Sequence, residues 1–138
     1  MSVHVFAYGT LMCADIMRTA CGGLPAAEPA RLDGFSRHPV AGEEYPGIRR
    51  NAGASVHGVL YRDVTIAQLA QLDVFEGPQY LRESTIAILA DGSTLDAETY
   101  VFADHQLHLL QDGDWDYFSF LERGRRRFEG RYLGFERI

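Results

Sequence analysis

Apolar positions along the chain follow two periods, and these place most of the secondary structure. Val3, Val5, Phe6 and Tyr8 form an apolar run ending at Gly9, which predicts a buried strand over residues 3–8. Residues 14–20, with Ile16 and Met17 apolar, predict a short helix stopped by Gly22-Gly23 and Pro25. Residues 30–35 and 37–40 predict strands, with Asp33-Gly34 as a turn or bulge signal. The stretch 42–53, which holds Pro46-Gly47 and two arginines, reads as a loop. Residues 55–62 predict a strand, with Val56, Gly58 and Leu60 on one face and His57, Val59 and Tyr61 on the other.

The clearest helix is 65–76. Thr65 and Gln68 fit a capping box, in which each side chain satisfies an amide that the helix start leaves unpaired. Gly77-Pro78 ends it. Residues 82–90 and 95–103, joined by Asp91-Gly92-Ser93, predict a β-hairpin. Residues 116–130, rich in Arg and Phe, predict a last helix with Phe118, Leu121 and Phe128 along its apolar side. There is no repeat or linker, and the mixed order of elements predicts a single α+β domain over residues 1–138.

Composition narrows the function. A chain of 138 residues with 46% hydrophobic and 23% charged residues can bury a core without disulfides or metals. The net charge of −6 argues against a general nucleic-acid binder. All 13 basic residues are arginine, and the run Arg123-Gly124-Arg125-Arg126-Arg127 reads as a solvated helix face. Cys13 and Cys21, if on one helix, stand ~12 Å apart, too far for a disulfide. This usage, with no signal-peptide pattern and no apolar run long enough to span a membrane, predicts a cytoplasmic protein. His105 and His108 lack the further ligands that a metal site needs. Cys13 has no histidine partner evident in sequence.

Two features carry chemistry. On a helical wheel with Ile66 at 0°, Leu69, Leu72 and Glu76 fall at about 300°, 240° and 280°. Glu76 therefore lies in the apolar stripe, at the helix end where unpaired carbonyls disfavour a carboxylate. Both effects raise its pKa and suit it to proton transfer near neutral pH. Asp73, at the stripe edge, is a competing carboxylate. Solvent exposure of Glu76 or a pair with Arg82 would remove the argument. The second feature is Tyr8-Gly9-Thr10-Leu11, where glycine at a strand end permits a sharp turn whose free amides can cradle an anion.

Taken together, the motifs resemble those of the γ-glutamyl cyclotransferase-like superfamily. Residues 5–11 (VFAYGTL) are similar to its N-terminal signature. Residues 72–77 (LDVFEG), followed by Tyr80-Leu81-Arg82, resemble its second signature. Tyr45-Pro46-Gly47-Ile48, residues 56–61 (VHGVLY) and residues 97–102 (AETYVF) fit its intervening loop and strands. The resemblance covers roughly residues 3–103 and is nearest to the γ-glutamylamine cyclotransferase-type branch. It implies a small mixed β-barrel flanked by helices and a small γ-glutamyl substrate released as 5-oxoproline plus an amine. It implies Glu76 as the catalytic acid–base and Tyr8, Gly9, Thr10 and Leu11 as the substrate loop, with Tyr80 and Tyr100 at the pocket. No metal, organic cofactor, nucleic acid or membrane is implied. A relative that only binds a small carboxylate is the alternative, and so is a different amide cleavage in the same pocket.

Overall fold

The computed structural model describes residues 2–132, the side chains at 127 and 130–132 excepted. Five strands run in the order β1 (Ser2–Ala7), β2 (Ala27–Pro39), β3 (Pro46–Thr65), β4 (Tyr80–Leu89) and β5 (Thr94–Phe102). They close into a barrel with spatial order β1-β3-β2-β4-β5. Neighbours are antiparallel except β1 and β5, which meet in parallel at Val5 and Glu98. The mixed α+β barrel that the resemblance implies is the one observed.

Strand alternation splits the apolar residues into two cores. Phe6, Leu32, Leu60, Ala87 and Ala97, one from each strand, are buried in a cluster that no helix enters, the barrel interior. Val5, Ala7, Tyr61 and Val64 face outward and pack against α1 (Ala14–Cys21) and α2 (Ile66–Glu76) through Ile16, Met17, Leu69 and Leu72. Both faces of the second half of β1 are thus dry, which is why its apolar run is nearly continuous. Gly22 closes α1 in a left-handed conformation, at φ 80°.

Two strand expectations from sequence are corrected. The stretch 42–53 is not a loop: only a short turn precedes Pro46, and β3 runs for 20 residues from there. Pro46 is tolerated because it begins the strand, and Arg37↔Ile48 and Pro39↔Pro46 extend the pairing with β2. Likewise the strands predicted at 30–35 and 37–40 are one strand. Asp33-Gly34 is a bulge within it, with Gly34 at φ 84°.

The predicted last helix is broken into α3 (Tyr117–Ser119), a π-helical turn (Phe120–Gly124) and α4 (Arg125–Tyr132). Asp116 caps its start by accepting from the amides of Phe118 and Ser119. The wider turn inserts a residue and rotates the apolar stripe. Phe118, expected inside, is 74% exposed, while Phe120 and Phe128 are buried. Gly124 permits the turn to press on Glu44, whose carboxylate occupies the space a Cβ would need. Arg123 and Arg126 face solvent as expected, but Arg125 bonds Asp15 and Glu129.

Candidate active site

The loop after β1 is shaped by contact and by hydrogen bonds. A Cβ on Gly9 would stand 2.8 Å from Cγ of Pro46, so only glycine lets β3 begin this close. Thr10–Met12 then form a single 3-10 turn. In it the amides of Met12 and Cys13 donate to the carbonyls of Gly9 and Thr10, and those of Thr10 and Leu11 have no partner within the turn. The Tyr61 hydroxyl donates to the Leu11 carbonyl at 2.6 Å, tying the turn to β3. The Tyr8 hydroxyl, buried, donates to the Tyr100 carbonyl at 2.6 Å.

Helix α2 delivers the carboxyl group. Its capping box is complete, with Gln68 N–H donating to Thr65 Oγ1 at 3.1 Å and Thr65 N–H to Gln68 Oε1 at 3.0 Å. Leu69 and Leu72 anchor it, and Gly77 turns the chain into β4 at φ 77°. One turn beyond Leu72, Glu76 enters a cavity of about 280 Å³. The cavity is lined by Phe6, Ala7, Tyr8, Gly9, Thr10 and Leu11 from β1 and its loop, Tyr45 and Pro46 before and at β3, and Phe75 and Glu76 from α2. Gly77, Pro78, Gln79, Tyr80, Tyr100 and Phe128 complete it. All seven site residues singled out in the sequence thus border one space.

The surroundings act strongly on Glu76. Burial first, and the negative charge of Asp73 second, push its carboxyl up to about 8. Among the described residues no hydrogen bond or ion pair reaches it. Arg82, its suspected partner, instead donates Nε to Asp73 at 2.9 Å and Nη1 to Glu98 at 2.6 Å. Asp73 also accepts the Tyr100 hydroxyl at 2.7 Å. The competing carboxylate is therefore locked in a network outside the cavity, while Glu76 faces into it. Burial, and then the nearby Glu76 charge, also drive the Tyr8 hydroxyl well above its usual range, so it stays a neutral donor.

Tyr80 and Tyr100 border the cavity with their rings. Their hydroxyls are engaged, that of Tyr80 with the Pro46 carbonyl at 2.6 Å. Tyr45, Phe75, Gln79 and Phe128 were missed in the sequence. Tyr45 lies in the stretch read as loop, and its hydroxyl bonds the Gln79 side chain. Phe75 and Phe128 meet edge to face, centroids 6.0 Å apart. Phe75 adjoins Glu76 in the motif and had a signal; Phe128 had none, since its place depends on the π-helical turn. Cys13 and Cys21 are buried, free and outside the cavity lining. His105 and His108 are exposed in a 3-10 turn, and no cluster of three metal-binding side chains occurs among the described residues. No described helix is long and apolar enough to cross a membrane.

A five-stranded barrel whose first loop and second helix share a cavity around one uncompensated carboxyl defines a class that the comparisons identify. The profile of the family described as Gamma-glutamyl cyclotransferase, AIG2-like, matches residues 5–117, and the chain belongs to that family. It is 35% identical over 118 residues to AIG2-like protein D of Arabidopsis thaliana, covering 82% of this chain and 75% of that one. It is 29% identical over 100 residues to a Methanocaldococcus jannaschii protein named as a γ-glutamylcyclotransferase and putative RNase, covering 71% of this chain and 45% of that one. An Arabidopsis thaliana solution structure superposes with a TM-score of 0.74 at 26% identity, covering 95% of this chain and 84% of that one.

Proposed function

We propose that this chain is a cyclotransferase that converts a γ-glutamyl amine or peptide to 5-oxoproline and a free amine, with Glu76 as its acid–base. The observation that carries the reading is the single Glu76 carboxyl in an apolar cavity beside the amide-bearing loop, its pKa pushed up to about 8. A carboxyl so placed can hold a proton at one stage and release it at the next. The family and its M. jannaschii relative support the reaction class.

The substrate's α-ammonium first gives a proton to the Glu76 carboxylate. The freed amine attacks the γ-carbonyl carbon, forming the ring C–N bond and an oxyanion. As the oxyanion collapses the original C–N bond breaks and the leaving nitrogen takes the proton from Glu76. The Glu76 carboxylate then removes the second proton from the ring nitrogen and passes it to the departing amine, which leaves as an ammonium. Acid–base transfer of this kind is worth ~10²–10⁴-fold. Holding amine and carbonyl in contact supplies up to ~7–11 kcal/mol more. The loop amides would bind the α-carboxylate or the oxyanion, and the rings of Tyr80 and Tyr100 would flank the glutamyl chain.

With its pKa pushed up to about 8, Glu76 is mostly protonated at pH 7, and a bound ammonium favours the ionised form. The test is incubation with a panel of γ-glutamyl amines and peptides, assayed for 5-oxoproline. We expect product from at least one, and its formation slowed ~10²–10⁴-fold in Glu76→Gln. Binding without product would make the protein a carboxylate-binding relative, and full activity in Glu76→Gln would refute the acid–base assignment.

A further inference from the structure

Arg37, on β2, stands behind the substrate loop with a side chain only 13% exposed. It does not line the cavity around Glu76. It borders a separate polar cleft with Ser36, His38, His57 and Asp114. Its Nη1 donates to the carbonyl of Tyr8 at 2.8 Å. Nε and Nη2 hold the two carboxylate oxygens of Asp114 at 2.8 and 3.1 Å. The guanidinium also lies 5.7 Å from the centroid of the Trp115 ring, and the Trp115 indole N–H donates to the Glu44 carbonyl at 2.9 Å. The arginine is therefore held by a two-point ion pair and an aromatic face, leaving Nη1 for two backbone oxygens, closely that of Tyr8 and at 3.4 Å that of His57 on β3.

The Tyr8 oxygen belongs to the peptide unit joining Tyr8 to Gly9. The unit is trans and planar, so its C=O and N–H point in opposite directions. Drawing the Tyr8 carbonyl to Arg37 turns the Gly9 N–H away from Arg37, whereas a flipped unit would present the carbonyl oxygen on that side instead. Gly9 itself borders the cavity. An N–H there stabilises a carboxylate or oxyanion; a carbonyl oxygen repels one.

We propose that Arg37 is a positioning residue: by holding the Tyr8 carbonyl it sets the Tyr8–Gly9 peptide so that the Gly9 N–H is the donor offered to the bound substrate. The substrate part rests on the cyclotransferase reading, but the peptide orientation does not. Asp114 and Trp115 act through Arg37, which makes the polar cleft the supporting side of the site.

The test uses the full chain, wild type and Arg37→Gln, Arg37→Lys and Asp114→Asn. Readouts are kcat and KM for a γ-glutamyl amide that the wild type turns over, the pH profile, and the amide resonance of Gly9. Arg37→Gln should move the Gly9 resonance and lower kcat/KM by about 10²-fold, as loss of an aligned donor does. The pH midpoint should hold, since Glu76 keeps its own surroundings. Arg37→Lys should remain about 10-fold impaired, because one ammonium cannot serve Asp114 and Tyr8 in the fork geometry. An unmoved Gly9 resonance with kcat/KM within about two-fold of wild type would overturn the proposal. If Arg37→Gln fails to fold, Asp114→Asn is judged by the same two criteria. If wild type forms no 5-oxoproline, the cyclotransferase reading fails separately. Arg37 is then judged on the Gly9 resonance alone, where an unmoved signal overturns it.

Discussion

The loop after β1 and the helical segment after Trp115 border the same cavity, but different forces bring them there. The loop is held through its backbone. Arg37 and Tyr61 each grip one of its carbonyls, and Pro46 presses on Gly9. The segment is held through side chains. Phe128 packs edge-on against Phe75, Tyr45 and Phe120, with centroids 6.0, 6.4 and 5.7 Å apart. The family match extends over the loop and stops at residue 117, short of Phe128. A wall made by backbone must be met by the same few residue types wherever it occurs. A wall made by a packed ring can be supplied by whatever sequence turns a ring inward. The proposed chemistry accordingly belongs to the loop and to Glu76, while the C-terminal segment shapes the cavity through Phe128.

The largest test of this division is Glu76→Gln, expected to lower kcat by ~10²–10⁴-fold. The same change should stabilise the protein at alkaline pH. Below the ordinary carboxyl value of 4.5 the group is neutral in both folded and unfolded chains and has no effect on stability. As pH rises the unfolded chain ionises first, so folding loses stability until the pH passes about 8. The full loss is roughly 5 kcal/mol, which the glutamine would not suffer. Urea unfolding at pH 4 and pH 9 measures it: a higher midpoint for the variant is expected only at pH 9.

Gly9→Ala attacks the backbone-held wall. The added methyl meets Pro46, so we expect ~1–3 kcal/mol of destabilisation and about 10²-fold lower activity from a displaced amide. Phe128→Ala attacks the side-chain wall. It should cost ~3–5 kcal/mol of stability, yet raise KM for bulky leaving amines by about 10-fold while kcat for small ones holds. Equal losses of kcat in the two variants would erase the distinction between the walls. The smallest effect is expected of Asp73→Asn. Removing the lesser of the two causes that raise Glu76 should move the midpoint of kcat/KM against pH below that of wild type, without abolishing activity.

What could be read from the chain follows the range of the forces involved. The capping box of Thr65 and Gln68, the Gly22 stop and the 91–93 turn depend on neighbours within four residues, and each appears as expected. Glu76 was legible because helical geometry projects it onto the stripe of Leu69 and Leu72, whatever lies opposite. The run 46–53 was not, since Ile48 alone is apolar between Gly47 and Asn51, and its strand exists only through pairing with β2. Phe118 and Phe128 were placed on one face by assuming an unbroken helix, which the π-helical turn at Gly124 defeats.

Local periodicity therefore determined, from the sequence alone, most of the elements and an inward-facing carboxyl, while the family resemblance implied the barrel and joined that carboxyl to the glycine loop. Tertiary structure alone decided which charged groups meet. Arg82 went to Asp73 and left Glu76 unpaired, Arg37 reached the Tyr8 carbonyl across 29 positions, and Phe128 closed the cavity. The reason is that a helix or turn is specified by bonds between near neighbours. The partner of a long side chain depends on which strands the closed barrel sets side by side.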